Sequence, residues 1–268
     1  MKIGLIGCGR MGSAILEGAI TKGVVEPENI WLSSRTRKSA EALAARCHAH
    51  VAENHTQVVA ECDLVLLGCK PYQLLDVLAE LAPSLPGDVA LVSVAAGVTL
   101  ASMATAVPTG TRLVRAMPNT PCMIGMGATG VAAGSHATET DIARTMELFT
   151  AVGTAVQVSD EQINAVTGLS GSGPAYVYAY IQSLTEQATA EGLSEKDAMQ
   201  LAIQTVRGAA EMLHTTGKTP QALIDQVTSP GGTTLAGLEA MAHSDFQAAT
   251  KSAVRAATER SREIAQES

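Results

Sequence analysis

Through the first part of the chain, short apolar runs alternate with longer stretches of mixed character. The pattern predicts strands over Lys2 to Ile6, Ile30 to Ser33, Asp63 to Leu67, Ala90 to Val94 and Arg112 to Ala116, the second of them entered through the polar turn Glu26 to Asn29. Helical spacing falls over Met11 to Lys22, Arg37 to Arg46 and Asp141 to Thr150, and Thr154 to Val158 reads as a last strand. Strands that are apolar without alternation, separated by helices, are the mark of βαβ units and a parallel sheet buried on both faces, here of about seven or eight strands. After Ser159 the strand signals stop. Ala198, Leu201, Ala202, Thr205, Val206, Ala209, Met212 and Leu213 recur at three- and four-residue steps, with Ser194 and Asp197 as a start signal and Gly217 as a stop. The expectation is an α/β fold with two domains: a parallel-sheet domain over 1–159 and an all-α domain over 160–268. The helical half presents mainly small residues, which bury little area apiece, so a second subunit is expected to complete its core.

Composition narrows the function. The 268 residues are 46% hydrophobic and 16% charged, enough apolar material for real cores. Aromatics make up 3% and the net charge is −8, which argues against base-stacking platforms and against binding to a phosphate backbone or an anionic membrane surface. Five cysteines, odd in number and without a CxxC pair, indicate neither a disulfide framework nor a zinc site; no metal is expected, and a reducing cytoplasm fits. The opening Met-Lys leads directly into IGLIG, so no signal peptide is expected. Val89 to Thr111 runs 23 residues without a charge, but Ser93, Gly97, Thr99, Ser102, Thr105 and Pro108 interrupt it, as suits a strand, loop and helix rather than a membrane span.

The first chemical signal is Gly7-Cys8-Gly9-Arg10-Met11-Gly12, which follows a predicted strand and opens a predicted helix. In that setting GxGxxG is the dinucleotide fingerprint of a Rossmann-type domain: one glycine for the tight turn, one for close approach of a pyrophosphate, one for helix-strand packing. The phosphates meet the unpaired N–H groups of the helix beginning near Arg10. An acidic residue is usual about 20 residues further on, to bind the ribose of NAD. Here no Asp or Glu occurs from Asn29 to Ala40, and the strand ends in Ser33-Ser34-Arg35-Thr36-Arg37. Guanidinium groups beside small hydroxyls suit a 2′-phosphate, so NADPH is the expected cofactor, with NADH as the alternative.

The middle of the chain is defined by what it lacks. No Asp or Glu lies between Val89 and Thr138, and no lysine between Lys70 and Lys196. A site that reduces or oxidises an alcohol needs a general acid or base at the oxygen. This one suits hydride transfer to a carbon already electrophilic, such as that of a protonated imine, with hydroxyls and backbone amides providing orientation.

Five segments, IGCGRMGSAI at the start, SVAAGVTL at 93–100, RAMPNTP at 115–121, VTGLSGSGPAYVY at 166–178 and TSPGGTTLAGLEAM at 228–241, closely resemble the pyrroline-5-carboxylate reductase family, in the family's order and over nearly the whole chain. The resemblance implies reduction of the cyclic imine 1-pyrroline-5-carboxylate to L-proline by NAD(P)H, in a homodimer of intertwined helical domains that often assembles into a decamer. It assigns Gly7, Gly9, Arg10, Met11 and Gly12 to the pyrophosphate and Ser34, Arg35 and Asn54 to the adenosine and its 2′-phosphate. It sets Lys70 and Pro71 beside the cofactor, and Ala95, Ala96, Gly97 and the Met117 to Thr120 turn with Asn119 around the nicotinamide. Ser229, Gly231, Gly232, Thr233 and Thr234 are assigned to the substrate carboxylate, with Thr234 reaching the ring nitrogen. The residues themselves agree: SPGGTT before LAGLEAM is a glycine turn entering a helix, an anion site without arginine. Arg10 departs from the family, where Asn is frequent. Two other readings stand beside this one. A β-hydroxyacid-type dehydrogenase places its lysine four residues after the glycine turn of the helical domain, where this chain has Val177. A non-catalytic NADP-binding sensor has no use for SPGGTT. His48 and His50 read as solvated surface and Cys8 as a small filler, while Glu211, Glu239 and His243 read as helix surface.

Overall fold

The apolar runs form a sheet because they are buried on both faces, as a computed structural model describing residues 1–267 shows. In chain order the sheet half comprises β1 (Ile3–Ile6), α1 (Arg10–Thr21), β2 (Ile30–Ser33), α2 (Arg37–Cys47), β3 (His50–Val51), α3 (His55–Glu61), β4 (Leu64–Leu67) and α4 (Pro71–Leu81). It continues with β5 (Ala90–Ser93), α5 (Leu100–Thr105), β6 (Arg112–Met117), β7 (Gly127–Ala133), α6 (Glu139–Thr150) and β8 (Gly153–Gln157). The eight strands lie in the order β3-β2-β1-β4-β5-β6-β7-β8. Every pairing is parallel except that of β6 with β7. Successive residues of a strand serve opposite cores. Leu64 and Leu66 join Ile15, Leu16 and Phe149 on one face, while Val65 and Leu67 join Val58, Leu74 and Leu78 on the other.

Two strands had no sequence signal, for different reasons. β3 is two residues long, too short to show a period. β7 reads GATGVAA, and its glycines answer local crowding: a Cβ on Gly127 would fall on Cys122 Sγ and one on Gly130 would lie 2.8 Å from Val166. Small residues of poor strand propensity are therefore chosen by their neighbours.

The helical half continues with α7 (Ile163–Val166), a π-turn over Thr167–Gly171, α8 (Gly173–Ala190), α9 (Glu195–Thr216), α10 (Pro220–Val227), α11 (Thr233–His243) and α12 (Phe246–Glu267). The α9 signals act as expected, with Ser194 Oγ accepting from Asp197 N and Gly217 closing the helix at φ 63°. Two compact units result: residues 1–172 together with the chain from 254 on, and residues 173–253. This division falls later than residue 159 because Ile163 is fully buried in a core of the sheet and Asp160 anchors a buried cation. That cation is Arg115, 1% exposed on β6, whose guanidinium donates to Asp160 Oδ1 at 2.7 Å while Leu100 N donates to Asp160 Oδ2 at 3.1 Å. In the second unit α8 and α9 bury Thr185, Ala198 and Ala202, and no residue of α10 or α11 is buried. No helix among the described residues is long and apolar enough to cross a membrane.

Candidate active site

The sheet order reverses at β1 and β4, and ligands of open α/β sheets bind beyond the carboxyl ends of the strands at such a point. β1 ends there in Gly7, whose N–H donates to Ser33 O at 2.8 Å and whose φ of 94° admits few side chains. A Cβ on Gly7 would lie 2.7 Å from Cys69 N, and one on Gly12 would lie 2.7 Å from Leu5 Cδ1. Gly9 is different. Its φ of −83° suits any residue, and its Cβ would meet only Gly68 O, at 3.9 Å. Nothing within 4 Å requires glycine at position 9, so that side of the turn is open. Gly9 is the N-cap of α1, no acidic residue stands in the first turn, and the opening N–H groups and dipole are offered to an anion. Met11 packs against the core, so its backbone is what it presents, whereas Arg10 is exposed.

A cleft of about 560 Å³ runs from this turn, past Ser34, Arg35 and His55, to Gly68 and Lys70. The two arginines part company: Arg35 lines the cleft, and Arg37 is paired with Glu41 at 2.9 Å on an exposed helix face. Asn54 caps α3, its Oδ1 accepting from Gln57 N at 2.8 Å, and the adjacent His55 provides the wall, its Nδ1 2.7 Å from Ser33 Oγ. Lys70 is the N-cap of α4 and Pro71 its first residue. The residues thus fit a dinucleotide phosphate: backbone amides with no acidic residue in the first turn of α1, a spare space at Gly9 and a guanidinium at the far wall, while Asp76 and Glu80 line the cleft along α4.

Beyond β5, Ser93 Oγ accepts from Ala95 N at 3.1 Å, Ala96 is exposed, and Gly97 turns at φ 82°. Asn119 has a framework task, its Nδ2 donating to Ser170 O at 3.0 Å and its Oδ1 accepting from Ala128 N at 2.9 Å. It ties the π-turn to β7, and π-turns mark functional sites often enough to be noted here. In the second unit, Gly231 at φ 70° and Gly232 as N-cap bring the chain into α11, whose first turn holds no acidic residue. A Cβ on Gly232 would come within 2.5 Å of Ser229 Oγ, so that glycine is fixed by its own turn. Thr233 and Thr234 are exposed at the helix start.

Sequence reasoning missed Gly68 and His55. A Cβ on Gly68 would lie 2.6 Å from Gly7 O, and its signal is a glycine ending the apolar run LVLL. The remaining candidates have local uses: His48 ends α2 in the left-handed region and His50 stacks on Trp31 at 4.8 Å. Burial pushes the Cys8 thiol up to about 12 and that of Cys69 up to about 11.

Residues 160–264 match the model of pyrroline-5-carboxylate reductase dimerisation, and residues 2–97 match that of the NADP oxidoreductase, coenzyme F420-dependent family. The chain is 43% identical to a pyrroline-5-carboxylate reductase of Methanosarcina acetivorans over 98% of its own length and 97% of the relative's. Among solved structures, the pyrroline-5-carboxylate reductase of Coxiella burnetii superposes with a TM-score of 0.94 at 33% identity, covering 98% of each chain. The Plasmodium falciparum pyrroline carboxylate reductase with NADP bound superposes at 0.85 and 28% identity, covering 99% of this chain and 98% of that one.

Proposed function

The chain belongs to the pyrroline-5-carboxylate reductase family, and we propose how its residues divide that family's reaction, the NADPH-dependent reduction of 1-pyrroline-5-carboxylate to L-proline that ends proline biosynthesis. NADPH, when bound, supplies the hydride. Gly7, Gly9, Arg10, Met11 and Gly12 hold the pyrophosphate on backbone N–H groups, and Ser34 and Arg35 hold the 2′-phosphate, with Asn54 at the adenosine. Lys70 and Pro71 flank the cofactor, while Ala95, Ala96, Gly97 and Asn119 frame the nicotinamide. Ser229, Gly231, Gly232 and Thr233 receive the substrate carboxylate at the positive end of α11. Thr234 donates a hydrogen bond to the ring nitrogen, which orients the C=N carbon.

The observation that carries this reading is the absence of a carboxylate or lysine where an alcohol dehydrogenase needs an acid or base: Val89 to Thr138 holds neither, and its buried Arg115 is paired with Asp160. A protonated imine already carries the positive charge that draws a hydride, so binding and orientation suffice. The test is consumption of NADPH with 1-pyrroline-5-carboxylate set against a panel of 3-keto acids. Turnover of the imine alone is expected, and turnover of the keto acids alone would refute the reading. The helical residues carry a dimerisation domain. Exposed Leu201, Ile203, Met212 and Val227 support a partner copy over the second unit, and we extend this to dimers that assemble into a decamer in the cytoplasm. Light scattering on the purified protein gives the assembly number.

A further inference from the structure

The chain from 254 on packs with the first unit, although some 80 residues of the other unit precede it. Three fitted contacts hold it there. A Cβ on Gly97 would lie 2.5 Å from Ile264 Cγ2, so Ile264 rests on the bare face of that turn. A Cβ on Gly168 would fall on Thr258 Oγ1, so α12 runs directly against the π-turn. Ser261, 5% exposed, donates from Oγ to Asn164 Oδ1 at 2.9 Å. Between these contacts lies a cavity of about 200 Å³, walled by Ala96, Gly97, Thr167, Ser172, Ser261 and Ile264.

We propose that the end of α12 is a positioning element for hydride transfer: Ile264 fixes the 95–97 turn, Thr258 fixes the π-turn and Ser261 holds α7, which leads into it, so that the two walls of this cavity keep a set spacing. The proposal rests on the reading that the 95–97 turn borders the nicotinamide. None of the residues lining the cavity is among those assigned to the phosphates. Loosening α12 therefore leaves the phosphate anchor intact and shifts the reacting end alone. Small displacements at that end are costly, on the order of a hundredfold in rate for about 1 Å.

The test is Ile264→Ala in the full-length protein, with Ile264→Val as the conservative control and Ser261→Ala as a milder perturbation. NADPH dissociation constants are expected to stay within about twofold, kcat to fall about tenfold or more, and the isotope effect with deuterated NADPH to rise as transfer becomes limiting. Ile264→Val restores most of the rate. In the cofactor-free protein the Gly97 amide resonance shifts in Ile264→Ala, a readout independent of turnover. Should Ile264→Ala not fold, Ser261→Ala must show the same isotope-effect rise and a Gly97 shift. Lowered thermal stability with kcat, isotope effect and resonance unchanged would overturn the proposal. One outcome separates the two ideas: if Ile264→Ala shifts the Gly97 resonance while NADPH binding, kcat and the isotope effect stay unchanged, the contact stands and the placement of the 95–97 turn at the nicotinamide is what fails.

Discussion

Gly9→Ala separates what the glycine turn does for the fold from what it does for the ligand. The backbone there is extended, at φ −83° and ψ 178°, and the new methyl would meet only Gly68 O at 3.9 Å. Restricting the unfolded chain stabilises by roughly 0.4–1 kcal/mol. Alanine is a poorer N-cap than glycine by a similar amount, roughly 0.5–1 kcal/mol, so the two nearly cancel. The Tm is expected to move by about 2 °C or less for a chain of this size. On the proposed assignment the same methyl stands where the pyrophosphate approaches. Losing one hydrogen bond to a charged group costs about 1.5–3 kcal/mol, which is about a ten- to hundredfold rise in Kd. Calorimetric melting and titration of NADPH fluorescence measure the two quantities. Gly7→Ala is the contrast, since it places a methyl 2.7 Å from backbone atoms at φ 94° and must lower the Tm. A Gly9→Ala protein that melts well below the parent while binding NADPH equally would refute the assignment of Gly9 to the ligand.

Arg35→Glu is expected to weaken NADPH about a hundredfold while leaving NADH nearly unchanged, because it replaces a phosphate partner by a like charge; equal losses would remove Arg35 from the 2′-phosphate. Thr234→Ala should lower kcat/KM about tenfold or more with NADPH affinity unchanged, and an unaltered rate would free Thr234 from any role. Cys8 is held neutral in the fold, its pKa raised from 9.0 to about 12 by burial, so its contribution is complete below about pH 9 and is lost as pH rises from there toward 12. Urea midpoints should therefore decline above about pH 9, and Cys8→Ala should flatten that decline; identical slopes would show that the thiol ionises alike in both states.

The legible parts of the sequence were those where one residue or one period decides the local structure. Gly7 is glycine because a Cβ at φ 94° would meet backbone at 2.7 Å, Gly217 closes α9 in the left-handed region that glycine favours, and Ser194 caps because its hydroxyl has one obvious donor. The unread parts depend on partners distant in sequence. β7 is built of small residues to suit Cys122 and Val166, and Asn119 resembles a ligand-binding residue in its motif yet spends its amide on Ser170 and Ala128. Arg37 had the composition of a phosphate partner and was claimed by Glu41 one helical turn away. Arg115 gave no hint of burial, because its counter-charge lies 45 residues along the chain.

β1 has a hydrogen-bonded strand on either side, and the glycine turn proposed to hold the pyrophosphate is the direct continuation of it. Amides in such a strand exchange with solvent only when the sheet opens as a whole, whereas an edge strand such as the two-residue β3 frays on its own. The turn is thus mounted on an interior strand, which opens only with the sheet. The turn therefore stays formed for as long as the sheet stays closed, whether or not anything is bound to it.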